Sequence, residues 1–332
     1  MKKMINKPED LVNELLEGFA LAFPERIKLV GDRIVTRTNP KQEGKVVLVT
    51  LGGSGHEPGL SGFVGPGMLD ASVPGEIFAA PAPDRCLEAI RLSDRGAGVL
   101  FVVLNHAGDV LTANYTMDMA MKQGLNVRMI LVHEDIGSGP PEEPEERRGL
   151  VGFLPVIKIA GAAAEAGLSL AEVYEVAARV ETNTRTLAVG FTGATHPVTG
   201  ELLANIGEDE MIVGMGQHGE TCGNTMPMKS ADEIAELILF PLLEDLGVNS
   251  GDDLLVLLNG AGATTLMELF IAYRKIHQLL GEKGIRVVRN RIGEFITTQE
   301  QAGFQLNITR VDETLVTYWD APCDTPYFTV CR

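Results

Sequence analysis

The sequence predicts an α/β protein of two α/β domains, each with a largely parallel or mixed sheet flanked by helices. Three observations predict it. Apolar, β-branched runs at 46–51, 98–104 and 127–132 alternate with helical stretches. That β-loop-α rhythm, repeated three times, argues a mainly parallel sheet with helices on both faces. A second series of strand and helix signals opens at about residue 188, and 332 residues are enough for two domains of ordinary size. The expected domains are 1–187 and 188–332.

Residues 8–23 read as a helix, because Leu11, Leu15, Leu16, Phe19, Ala20 and Phe23 recur at helical spacing. A short strand falls within 27–36. The run at 46–51 suits a parallel strand buried on both faces. Residues 62–69, dense in Gly and Pro, are irregular. Asp84 caps a helix that reaches about Leu92. The strand at 98–104 precedes a helix at 113–124, and the strand at 127–132 ends in His133-Glu134-Asp135. Residues 137–148 form a solvated loop. Two amphipathic helices follow at 154–166 and 170–183, then a strand at 186–191. The second series consists of strands at 210–213, 253–258, 285–291 and 305–310, with helices at 231–246 and 264–280.

The formal net charge of -17 makes the chain a poor partner for nucleic acid or an anionic membrane, since phosphate neutralisation needs clustered Lys and Arg. No apolar run approaches the roughly 20 residues of a membrane span. The first ten residues have no apolar signal core, so the expected location is cytoplasmic. Cys86, Cys222, Cys323 and Cys331 are widely spaced, with no CxxC, which argues against zinc or a disulfide framework. Cys222 lies close to His218 and is a candidate reactive thiol, although a bystander thiol is the commoner case.

Chemistry concentrates in three clusters. Gly52-Gly53-Ser54-Gly55-His56-Glu57-Pro58 follows the first buried strand, and ligands in open α/β sheets sit just beyond the carboxyl ends of strands. Its glycines let backbone N–H groups approach a bound oxygen. The spacing fits neither a P-loop nor a dinucleotide fingerprint. Asn105-His106-Ala107-Gly108-Asp109 ends the second buried strand. Gly214-Met215-Gly216-Gln217-His218-Gly219-Glu220 follows a short strand and sets a His between glycines, which provide it no packing. A metal would need two or three more His or Cys at ligand spacing; a hydrolase holding metal on His56, His106 and His218 is the weaker alternative. His56, His218 and Asp109 resemble triad components, but no Ser lies in a nucleophile elbow, and Ser54 would be an unusual nucleophile. One reading uses all three clusters. A neutral imidazole adds to a carbonyl carbon and holds the substrate as a hemiaminal, while a carboxylate and a second imidazole take the proton of a hydroxyl attacking phosphorus.

With GGSGHEP and GxGxHGE both present, the chain resembles the substrate-binding K subunit of dihydroxyacetone kinase along nearly its whole length. Matching stretches include 1–17, 62–69, 148–152, 259–269 and 320–326. The resemblance implies a homodimer that holds a ketose covalently on His218. It makes His56 and Asp109 the acid/base and hydroxyl-orienting pair, and Gly53, Ser54, Gly55 and His56 the substrate cradle. It implies no cofactor on this chain: ADP or ATP and magnesium belong to a separate L subunit, recharged by ATP or by the phosphoenolpyruvate phosphotransferase system. Two departures stand out. The family typically has Lys where this chain has Leu104, so a cationic donor to the triose is lost, and His106 is the candidate replacement, unless it merely tops a strand facing solvent. Glu220-Thr221-Cys222-Gly223 stands where the family commonly runs Glu-Pro-Gly. These changes are compatible with a ketotetrose substrate or with a ketone-binding sensor or co-activator.

Overall fold

Six strands make the first sheet: β1 (Ile27–Val30), β2 (Ile34–Arg37), β3 (Val47–Ser54), β4 (Ala71–Ile77), β5 (Val99–Leu104) and β6 (Val127–Val132), in the order β1-β2-β4-β3-β5-β6. This computed structural model describes residues 3–41, 43–220 and 225–331. Strands β4, β3, β5 and β6 are mutually parallel, and the β1–β2 hairpin adds on antiparallel, so the sheet is mixed. β3 and β5 are buried almost throughout, as the largely apolar start of β3 and the unbroken apolar sequence of β5 require of central parallel strands. β4 has no such signature. Its Pro74 lacks a backbone donor and its Gly75 lacks a side chain, and both normally weaken a strand.

Helices α1 (Leu11–Ala22), α2 (Pro83–Ser93) and α3 (Ala107–Lys122) join these strands. Two expectations change here. Asp84 lies inside the first turn of α2, not at its cap, which is Ala82. α3 begins six residues before the expected 113, so Asp109 sits on a helix rather than in a loop. Val47, Val49, Phe101 and Val103 pack with Ile90 and Ala113 in one core. α4 (Phe153–Glu165) is buried along every face up to Ala164, so it is not the amphipathic helix expected; α5 (Leu170–Thr182) alternates as expected. The buried Lys158 of α4 is satisfied by donating to the carbonyls of Tyr318 and Ala321, each at 2.8 Å.

The second sheet runs β11-β10-β12-β7-β8-β9, with β7 (Thr184–Gly190), β8 (Glu210–Val213), β9 (Thr225–Pro227), β10 (Asp253–Gly260), β11 (Arg286–Gly293) and β12 (Gly303–Val311). Only β10–β11 pair in parallel; the other neighbours are antiparallel. α6 (Ala231–Leu246) and α7 (Leu266–Glu282) pack on it. Each starts at a capping box, Ser230 with Glu233 and Thr265 with Glu268. The chain closes with α8 (Glu313–Asp320) and the hairpin β13 (Cys323–Asp324) to β14 (Thr329–Val330).

Two compact units result, and they interleave along the chain. One comprises Met1–Val132, Leu154–Arg179 and Thr317–Arg332; the other comprises His133–Phe153 and Val180–Val316. A single cut at 187/188 does not describe them, because it would sever β7 in mid-strand.

In the first unit Arg37 and Lys45 are both buried, and Asp70 and Glu165 neutralise them. Arg37 Nη1 lies 2.8 Å from Asp70 and 2.7 Å from Glu165, and Lys45 Nζ lies 2.5 Å from Asp70. Burial alone would raise the Glu165 carboxyl, but the Lys45 and Arg37 charges overcome it and hold the group at about 2, below its ordinary 4.5. A carboxyl depressed in the folded state stabilises the fold above its unfolded pKa, and that contribution is lost as pH falls toward the folded one. The stability difference between wild type and Glu165→Gln is therefore expected to be full above about pH 5 and to shrink toward zero near pH 2. Urea midpoints across that range check it; a difference independent of pH contradicts it.

Candidate functional site

The first unit brings two of the sequence clusters to one edge of its sheet. β3 connects to β4 on one side, and β5 connects through α3 to β6 on the other. The carboxyl ends of β3 and β5 therefore flank a topological switch point, where open α/β sheets form their ligand crevice. His56 leaves one of these strands and Asp109 the other.

Gly53 and Ser54 are the last residues of β3. A Cβ on Gly53 would come 2.7 Å from the Ala79 nitrogen, and one on Gly55, whose φ is +102°, would come 2.6 Å from the Phe78 ring. Only glycine permits this close approach. The Phe78 ring in turn stands 5.2 Å from the His56 imidazole, which is buried. Leu60 and Phe78 beside the loop hold φ of +61° and +55°. Non-glycine residues pay about 1–3 kcal/mol for such backbone, and they cluster where ligands are clamped.

Two details refine the expected cradle. Ser54 Oγ donates to the Gly75 carbonyl at 2.8 Å, so its hydroxyl is engaged in structure. The Gly55 N–H donates to Glu57 Oε1 at 3.0 Å. A cavity of about 110 Å³ beside the loop is lined by Leu15, Leu16, Phe19, Leu60 and Tyr327 among others, but not by His56. Its apolar wall does not suit a polyhydroxy ligand.

His106 is the N-cap of α3; its side chain makes no capping bond and is half-buried. Asp109 is the third residue of the helix, buried within the first turn, where the macrodipole favours a carboxylate. The segment after β4 holds α3 in place, since Thr112 and Thr116 donate to the carbonyls of Pro81 and Pro83. Burial pushes the Cys86 thiol up to about 12, and the Asp109 charge adds to the rise, so this cysteine is inert. Leu104 is buried at the end of β5.

The third cluster belongs to the second unit and follows β8. His218 Nδ1 lies 3.0 Å from Glu220 Oε1, and the His218 backbone N–H donates to Glu220 Oε2 at 2.8 Å. A carboxylate only accepts, so in the neutral ring Nδ1 carries the proton and Nε2 the lone pair. Burial would raise the Glu220 carboxyl, but its bond to the His218 ring outweighs that and holds it far below the usual carboxylate range.

The loop itself is anchored from beneath. Gln217 Nε2 donates to the Thr297 carbonyl at 2.9 Å and to Thr298 Oγ1 at 3.0 Å, while Gln305 Nε2 donates to Gln217 Oε1 at 3.0 Å. Arg148 Nη2 bonds Asp135 Oδ2 at 2.8 Å and the Gly214 carbonyl at 3.2 Å. The sequence reading singled out neither Glu220, Gln217 nor Arg148 as site residues. Glu220 had a signal, two residues from His218 in the same motif; Arg148, 70 residues away, had none in spacing. Cys222, and the departure at 221–223, lie outside the described residues. No helix among the described residues is long and apolar enough to cross a membrane.

A glycine loop at a sheet switch point, and in the other unit a histidine bonded to a carboxylate, define the class as an α/β protein with two mixed sheets. Comparison with known proteins agrees: residues 17–327 match the Dak1 domain, and the chain belongs to that family. It is 35% identical to the dihydroxyacetone-binding subunit DhaK of PTS-dependent dihydroxyacetone kinase 2 from Listeria innocua, over 99% of this chain and 100% of that one. It is 39% identical to L-erythrulose kinase from Pectobacterium atrosepticum, but spans only 56% of that protein's length. Among solved structures, the dihydroxyacetone kinase operon co-activator Dha-DhaQ superposes with a TM-score of 0.90 at 29% identity, covering 95% of this chain and 97% of that one. The dihydroxyacetone kinase of C. freundii superposes with a TM-score of 0.89 at 28% identity; 99% of this chain covers 60% of it.

Proposed function

We propose that this chain is the substrate-binding subunit of a two-component dihydroxyacetone kinase, a phosphotransferase with an alcohol acceptor. Dihydroxyacetone, or a close small ketose, is bound as a hemiaminal. The lone pair on His218 Nε2 adds to the carbonyl carbon as the C=O π bond breaks, the carbonyl oxygen takes a proton from solvent to become a hydroxyl, and the positive charge on the ring is held by the Nδ1 proton shared with the Glu220 carboxylate. His56 and Asp109 orient the terminal hydroxyl of the ketose and accept its proton as that oxygen attacks phosphorus. The backbone at Gly53, Ser54 and Gly55 cradles the remaining oxygens, and His106 provides a donor where the family typically has Lys. The phosphate comes from a nucleotide with magnesium on a separate L subunit, and the K subunit works as a homodimer, as in the family it resembles.

The Glu220–His218 pair carries this reading, because a carboxylate on Nδ1 sets the ring tautomer that puts the lone pair on Nε2. The full-length match to dihydroxyacetone-binding subunits supports it. The test is reconstitution with a cognate L subunit and its phosphate source. Ketose-dependent transfer to a terminal hydroxyl is expected, and the ratio of kcat/KM for dihydroxyacetone and erythrulose identifies the ketose. Adduct formation without turnover of any triose or tetrulose, with any cognate L subunit, would overturn the kinase reading in favour of a sensor.

A further inference from the structure

Gly214 and Gly219 hold left-handed φ of +82° and +81°, but Gly216 between them does not. Glycine is needed at 216 for room, not for backbone freedom. The room is taken by a cation and a carboxylate. A Cβ on Gly216 would strike both Arg148 Nη1 and Glu220 Oε2, each well inside contact distance.

The cation is aimed from behind. Arg148 Nε and Nη2 donate to Asp135 Oδ2 at 3.1 and 2.8 Å, and Asp135 is fully buried. The Arg148 backbone N–H donates to Ser138 Oγ at 2.8 Å, so the main chain beneath the side chain is tied as well. From this base the guanidinium spans the two ends of the His218 loop. Nη2 donates to the Gly214 carbonyl at 3.2 Å, and Nη1 makes a longer bond, 3.4 Å, to the Glu220 carbonyl. Nη1 also lies 4.0 Å from Glu220 Oε2. The Glu220 side chain is 44% exposed, and a carboxylate so open to water holds a partner weakly by itself. Its bonds to His218 run within one short loop. Arg148 links that loop to a buried charge outside it.

We propose that Arg148 is a positioning residue: its guanidinium, aimed by Asp135 and admitted by Gly216, holds Glu220 against His218 and so keeps the ring proton on Nδ1. A planar fork suits this task, because one guanidinium reaches the carboxylate and both carbonyls at once. The consequence for adduct formation rests on the hemiaminal reading; the tautomer does not.

Two variants test it. Gly216→Ala strikes only the ends of two flexible side chains, so the fold should survive, yet the two groups cannot both keep their places. Arg148→Lys keeps a charge beside buried Asp135 but loses the fork, and it carries the test if the first variant fails to fold. In full chain labelled with ring-¹⁵N histidine, long-range ¹H–¹⁵N correlation reports which His218 nitrogen bears the proton, the signal being assigned by its loss in His218→Ala. The neutral ring of wild type is expected to carry it on Nδ1, and each variant to show a mixture of tautomers. Native mass spectrometry with dihydroxyacetone should then show the adduct weakened about tenfold in both variants. A wild-type ring protonated on Nε2, a tautomer unmoved in both variants, or an adduct lost while the tautomer stays put would each overturn the proposal. A tautomer that shifts in the variants, with no adduct even in wild type, would support the positioning role and sink the hemiaminal reading instead.

Discussion

His218→Ala is expected to abolish the ketose adduct. Wild-type protein incubated with dihydroxyacetone should gain the mass of one ketose per chain in native mass spectrometry, and the variant should gain none. The argument is local. His218 is half-buried between Gln217 and Gly219, and Glu220 accepts from Nδ1, which leaves the lone pair on Nε2 in the neutral ring. Alanine deletes the only nitrogen the proposal uses. The loop should keep its path, because Gln217 and Met215 anchor it through buried groups that the substitution does not touch. Glu220→Gln serves as the companion variant: it keeps the nucleophile but loses the charged acceptor that sets the tautomer, and should reduce the adduct without eliminating it. A full adduct in His218→Ala would remove this residue from its role.

Asp109→Asn is expected to lower phosphoryl transfer by about 10²–10⁴-fold while leaving the adduct intact, the range typical of a lost acid/base group. Asparagine matches the shape of aspartate, and the position is buried in the first turn of α3, so packing should survive. What it cannot do is accept a proton or carry negative charge. Single-turnover transfer from the L subunit, measured beside adduct mass, separates the two steps. Turnover within about twofold of wild type would exclude Asp109 from proton handling.

Much of the architecture was legible because the relevant forces are local. Largely apolar runs, unbroken in β5, announced β3, β5, β6 and β10. The bounds of α6 matched the expected 231–246, because Ser230, Glu233 and Gly247 form a capping box and a left-handed C-cap that short-range sequence encodes. β4 was missed for the converse reason: Pro74 and Gly75 contradict strand propensity, and only pairing with β2 and β3 holds the segment extended. The start of α3 was placed late because 105–109 reads as a polar glycine loop until the chain beyond β5 is seen to coil at once.

By itself the sequence determined the two α/β sheets, the glycine loops and their histidines, since periodicity and backbone freedom depend only on neighbours along the chain. Tertiary structure decided which residues support them. Arg148 reaching Gly214, Gln305 reaching Gln217, and Arg37 sharing Asp70 with Lys45 are pairings across long stretches of chain. Burial selects such pairings, because a charge or amide removed from water must find a partner wherever the fold brings one.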